Sequence, residues 1–118
     1  MINNNFIWLL KWYYGQCDGY WEHDNGIEIL TLDNSRWFLR ICLDETELQD
    51  KEFQKICVNR SEHDWIRCYI EHNIFIGAGG PLNLPEILEI FRKWAQCENQ
   101  RMEECNKKYI APKKNDVY

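Results

Sequence analysis

The apolar positions of this chain recur with two different periods, and the change of period divides it into elements. Phe6, Leu9, Leu10 and Tyr13 stand at helical spacing behind Asn4 or Asn5 as a cap, with Trp8 and Trp12 as a second pair four apart. The spacing predicts an N-terminal helix ended by Gly15 and the Asp18-Gly19 pair. Residues 20–26 form a polar stretch that closes on Asn25-Gly26, a turn signal. From Ile27 the period shortens to two. Ile27-Glu28-Ile29-Leu30-Thr31-Leu32 is short and β-rich, and Asp33-Asn34-Ser35-Arg36 is turn chemistry. Trp37, Leu39, Ile41 and Leu43 then alternate with Phe38, Arg40, Cys42 and Asp44. Two such runs joined by a turn predict an antiparallel hairpin.

Residues 44–51 read as a polar connection and residues 53–59 as another strand. The strand predicted from Asp64 to Glu71 sets Trp65, Arg67 and Tyr69 on one face and Ile66, Cys68 and Ile70 on the other. His72-Asn73 turns the chain into Ile74-Phe75-Ile76, and Gly77-Ala78-Gly79-Gly80-Pro81 is expected to break the sheet. A last helix follows. Asn83 is its expected N-cap, Pro85 sits in its first turn, and Glu86 completes a capping-box pattern. Its apolar face is Ile87, Phe91, Trp94 and Ala95.

Short connections between strands make neighbours antiparallel. The predicted fold is therefore α+β: one domain over residues 1–106, an antiparallel sheet of four or five strands, and an N-terminal and a C-terminal helix packed on one face. Residues 107–118, with Lys107, Lys108, Lys113 and Lys114, are expected to be a loose polar tail.

A length of 118 residues fits a single domain that buries enough surface to fold without staples. Nineteen acidic residues against fourteen basic ones give a net charge of −5. That balance argues against a nucleic-acid partner, which demands a basic footprint. The longest early apolar run ends at Lys11, too short for a membrane span or a signal core, so the chain is expected to remain in the cytoplasm. In that reducing setting the six cysteines, irregularly spaced and without a Cys-x-x-Cys, are expected to be thiols.

Candidate chemistry is sparse. Glu22-His23-Asp24 and Glu62-His63-Asp64 supply metal-ligand and acid–base residue types. Adjacent residues on an extended chain point to opposite sides, so neither triplet closes around an ion and no metal or cofactor is expected. Cys17 stands six residues before His23, and a Cys–His pair supports nucleophilic catalysis. Asp18 and Glu22 beside it disfavour the thiolate, which leaves a small thiol or metal enzyme as the alternative reading. The glycine run lacks a P-loop ending and reads as a rigid turn. Six Trp, six Tyr and five Phe remain, a load that either covers core edges or forms protein-binding hot spots beside carboxylates.

Trp12, Gln16-Cys17-Asp18-Gly19, Trp21-Glu22-His23, Gly26-Ile27-Glu28-Ile29 and Thr31-Leu32-Asp33-Asn34 with Trp37 together resemble the immunity protein 53 family. The likeness continues through Phe75-Ile76-Gly77-Ala78-Gly79-Gly80, Asn83-Leu84, Ile87-Leu88, Phe91 and Trp94. It departs at Ser35-Arg36, where the family usually has Pro-Gly. The resemblance implies a bacterial polymorphic-toxin immunity protein that blocks its cognate toxin domain by contact; the charge, the short apolar runs and the sparse chemistry add the expectation of no nucleic acid, no membrane and no enzyme activity. The expected contact surface is Trp21, Glu22, His23 and Asp24 together with the turn at Asp33, Asn34 and Arg36. Trp37, Phe91 and Trp94 are expected in the core.

Overall fold

The computed structural model describes residues 4–97, so the tail expected at 107–118 and the domain limit at 106 lie outside the described residues. Helix α1 (Asn4–Gln16) is followed by the single turn α2 (Trp21–Asp24). Strands β1 (Ile27–Leu32), β2 (Arg36–Cys42), β3 (Ile56–Ser61), β4 (Asp64–Glu71) and β5 (Ile74–Gly79) precede helix α3 (Leu84–Gln96). The five strands form one antiparallel sheet in the order β1-β2-β5-β4-β3. The α+β fold with terminal helices is therefore as expected, and β5 is its central strand.

Registration explains the burial. One row across the sheet is Ile29, Leu39, Gly77, Cys68 and Ile56. Beside it run Thr31, Trp37, Gly79, Ile66 and Val58. Helix α3 lies over these rows and buries Ile87, Leu88, Ile90, Phe91 and Trp94. Helix α1 packs along α3, with Trp12 edge-on to Phe91 at 5.4 Å and Trp8 at 6.0 Å.

Four local expectations are corrected by this packing. The glycines do not break the sheet; β5 runs through them to Gly79. A Cβ on Gly77 would stand 2.5 Å from Ile87 Cγ2, and one on Gly80 would stand 2.2 Å from the His63 carbonyl oxygen. The missing side chain of Gly77 lets α3 sit directly on the central strand, and that of Gly80 lets the chain pass close to the β3–β4 turn. Secondly, α1 buries Leu9 and Trp12, with Trp8 and Tyr13 packed on the core, while Phe6 and Leu10 are 44% and 48% exposed. The helix meets α3 through its large indoles, which bury more area than Phe6 or Leu10 would. Thirdly, Trp37 is half-buried near the start of β2, where its Nε1 donates to the Pro81 carbonyl at 2.9 Å. Phe91 and Trp94 are fully buried as expected. Finally, β3 starts at Ile56, because Phe53 leaves the strand line to pack edge-on against Phe75 and Trp94, each at 5.4 Å.

The connection 43–55 wraps the helical side of the sheet. Leu48 is buried, and Lys51 Nζ donates to the Trp94 carbonyl at 2.7 Å and to that of Cys97. A cation on the last carbonyls of α3 opposes the negative end of the helix dipole. Trp94 Nε1 donates in turn to the Glu52 carbonyl at 2.7 Å. At the other end of α3, Asn83 occupies the N-cap position but spends its side chain elsewhere. Its Oδ1 accepts from Gly80 N and Trp65 N, and its Nδ2 donates to Asp64 and Glu86. Glu86 pairs with Arg60 at 2.6 Å instead of closing a capping box. Cys17, Cys42, Cys57 and Cys68 are free thiols. Cys97 is disulfide-bonded, which departs from the all-thiol expectation.

Candidate functional site

The segment singled out in the sequence is built by a reciprocal cap. Asp18 Oδ1 accepts from the backbone N–H groups of Tyr20 and Trp21 at 2.9 and 3.0 Å. Glu22 reaches back, its two oxygens accepting from Asp18 N at 2.9 Å and Gly19 N at 2.7 Å. Gly19 takes a φ of 93°, which a side chain would resist. The Trp21 and Tyr20 N–H groups hold the Asp18 carboxyl below its usual range. Glu22 is likewise lowered, first by its own backbone N–H and then by those of Asp18 and Gly19. These bonds order a four-residue helix too short to persist alone.

Trp21 faces inward. It is 2% exposed, packs edge-on against Trp12 at 6.0 Å, and donates from Nε1 to the Asp44 carbonyl at 3.0 Å. Its indole is a core residue in this structure and offers no surface to a partner. Glu22 has its carboxylate engaged in the cap. Of the four residues expected here, only His23 and Asp24 are exposed. The Cys-Asp-Gly-x-Trp-Glu part of the motif thus explains itself as local architecture: cap, tight turn, buried anchor, returning cap.

The second expected patch lies elsewhere. Asp33, Asn34 and Ser35 are exposed at the tip of the β1–β2 hairpin, with φ of 77° at Asn34 and 54° at Ser35. Proline cannot adopt that φ, so replacing Pro-Gly by Ser35-Arg36 changes the shape of this turn. Arg36 is half-buried, and its Nε is shielded from solvent with no hydrogen-bond partner. The length of β1 separates this tip from Asp24 by about 20 Å, so the structure does not bring the two patches together.

A cleft of about 380 Å³ lies at the α2 end of the hairpin, lined among others by Asp24, Glu28, Arg40, Cys42, Asp44 and Ile74. Arg40 pairs with Glu28 across it at 2.9 Å, and the Cys42 thiol donates to Asn25 Oδ1 at 3.1 Å. Pattern reading misses this cleft because its walls come from three segments separated in sequence, 24–28, 40–44 and Ile74. The thiol chemistry weighed for Cys17 finds a different partner, as Sγ donates to the Tyr13 carbonyl one helical turn back at 3.3 Å. Among the described residues no group of three or more His, Cys, Asp or Glu side chains is placed to hold a metal ion. No described helix is long and apolar enough to cross a membrane.

Comparison with known families supplies what this geometry lacks. The family described as immunity protein 53 matches residues 6–96, most of the chain. The protein belongs to the immunity protein 53 family. The match spans every element from α1 to α3, so the family is defined on this whole α+β unit rather than on one motif. No curated protein and no solved structure matches the chain.

Proposed function

We propose that this immunity protein neutralises a cognate bacterial toxin domain by protein–protein contact, acting stoichiometrically in the cytoplasm. The family match over residues 6–96 carries the reading. The accessible residues of the two expected patches, His23 and Asp24 at one end and Asp33, Asn34 and Arg36 at the other, are its proposed contacts. Trp21 and Glu22 act from within, by fixing α2. Residues 4–97 hold fifteen carboxylates against nine Lys and Arg, and Asp18, Asp24, Asp44 and Glu45 are exposed around the α2 end. A surface of that sign steers a basic partner at long range.

The test is a titration of the full chain with the toxin domain encoded beside it, at two salt concentrations. One-to-one binding that abolishes toxin activity, with association slowed by salt, is the expected result. A correctly folded toxin domain that neither binds nor loses activity refutes the reading. A salt-insensitive rate refutes the steering.

A further inference from the structure

The two helices and the connection 43–55 cover only one side of the sheet. Pairing sends Leu30, Phe38, Ala78 and Arg67 to the other side in one row, and Glu28, Arg40, Ile76 and Tyr69 in the next. Trp65 shares that side. Phe38, Trp65, Tyr69 and Ile76 are half-buried, and Leu30 is 41% exposed. The face runs the length of the hairpin, from the cleft at Asp24 to Arg36, and so bridges the two patches that the sequence suggested.

Its charge opposes that of the molecule. In a domain dominated by carboxylates, this face carries Arg36, Arg40, Arg67 and Lys55 against Glu28 and Glu71. Arg40 is neutralised by Glu28, and Lys55 lies over the Tyr69 ring at 5.8 Å. The guanidinium groups of Arg36 and Arg67 bond to nothing among the described residues. Elsewhere the guanidiniums are engaged: Arg60 by Asp64 and Glu86, Arg92 by Gln96 and Asn5. A guanidinium presents five donors in a fixed fork that matches a carboxylate. Arginine and aromatic side chains are also the types that concentrate energy at the centre of protein interfaces.

We propose that this open sheet face is the docking surface for the toxin domain, which meets it with an apolar patch bearing carboxylates placed over Arg36 and Arg67. The proposal rests on the immunity reading above and adds the location and the local sign of the contact. Net charge acts at long range and contact charge at short range, so a basic toxin steered by the acidic α2 end still docks here through local carboxylates.

The experiment is calorimetric titration of the full chain with the neighbouring toxin domain, using wild type, Arg36→Glu, Arg67→Glu and the double variant. Lys11→Glu, exposed on α1, makes the same charge change on the other side of the sheet. Each arginine reversal is expected to weaken binding at least tenfold and the pair at least a hundredfold, with Lys11→Glu within twofold of wild type. Wild-type affinity in the double variant overturns the proposal. Equal losses in Lys11→Glu and the arginine variants overturn it too, by showing only a net-charge effect. Where a reversal lowers the urea midpoint, Arg36→Gln and Arg67→Gln remove the fork without inverting charge, and a loss of about tenfold at unchanged midpoint is required. A labelled single-stranded oligonucleotide is titrated in parallel, because aromatic sheets with arginines also stack bases. Micromolar oligonucleotide binding that the double variant abolishes, with toxin affinity unchanged, assigns the face to nucleic acid and overturns the proposal. Failure of the wild type to bind the toxin at all overturns the immunity reading itself.

Discussion

Gly77→Ala tests the seat of α3 on the sheet. Gly77 lies in the middle of the central strand, paired with Leu39 on one side and Cys68 on the other. An added Cβ would come within 2.5 Å of Ile87 Cγ2, whereas its next contacts, Phe75 at 3.5 Å and Cys68 Sγ at 3.7 Å, are ordinary. The conflict is therefore with one methyl group. Ile87 is fully buried between sheet and helix, so that methyl has no solvent to move into. Overpacking of this kind costs about 1–3 kcal/mol. For a domain of this size 1 kcal/mol moves the melting temperature by roughly 4–8 °C, so the variant should melt about 5–20 °C lower. Urea unfolding followed by tryptophan fluorescence measures the loss. Combining it with Ile87→Leu, which moves the branch one carbon outward, tests the cause. The double variant should recover part of the loss, with a coupling of about 0.5–3 kcal/mol. A Gly77→Ala protein as stable as wild type, or strict additivity with Ile87→Leu, would refute the close-approach account.

Gly15→Ala is the complementary case: it lies in α1 with nothing within 4 Å of an added Cβ, and should stabilise by about 0.5–1 kcal/mol in the same assay. Trp21→Ala should destabilise by about 3–5 kcal/mol, a core truncation rather than a silent surface change; an unchanged urea midpoint would return Trp21 to the contact surface. Stability should fall on acidification. Asp18 and Glu22 are lowered by backbone N–H groups, and Asp64 first by Arg60 and then by Asn83. A carboxyl depressed in the folded state contributes above its unfolded value and loses that contribution as pH falls through its folded value. The decline should therefore begin below about pH 4.5 and continue past the ordinary carboxylate range, and Asp18→Asn with Glu22→Gln should flatten it in urea titrations. Burial pushes the Cys68 thiol well up, so a thiol reagent should reach it only through unfolding, while the half-buried Cys17, Cys42 and Cys57 react first. Labelling of Cys68 in native protein at the rate of Cys17 would contradict its burial.

Local chemistry determined much of this protein without tertiary information. Alternation in Trp37-Phe38-Leu39-Arg40-Ile41-Cys42-Leu43 is a property of a pleated chain, and β2 is found where it predicts. The same holds for the two-faced β4 at Asp64–Glu71 and for the start of α3 after Asn83, where Pro85 supports a first helical turn. The family resemblance is likewise written in contiguous residues. Tertiary structure decided what depends on a second segment. Gly77-Ala78-Gly79 scores as a strand breaker by propensity, yet becomes the middle of the sheet because Ile87 and Asn83 need the space that a Cβ would fill. Trp21 and Trp8 look alike as exposed aromatics near charges until Trp12, Phe91 and the Asp44 carbonyl cover them. The candidate surface divides in the same way. His23, Asp24, Asp33 and Asn34 were visible as polar turn residues, but that Trp21 beside them is buried depends on Trp12 and the Asp44 carbonyl, which come from other segments. That Arg36 and Arg67 share one uncovered face is set by a strand order, β1-β2-β5-β4-β3, that places β5 between hairpins far apart in sequence. No local period encodes that order, because it is set by pairing between strands distant in sequence, β2 with β5 above all.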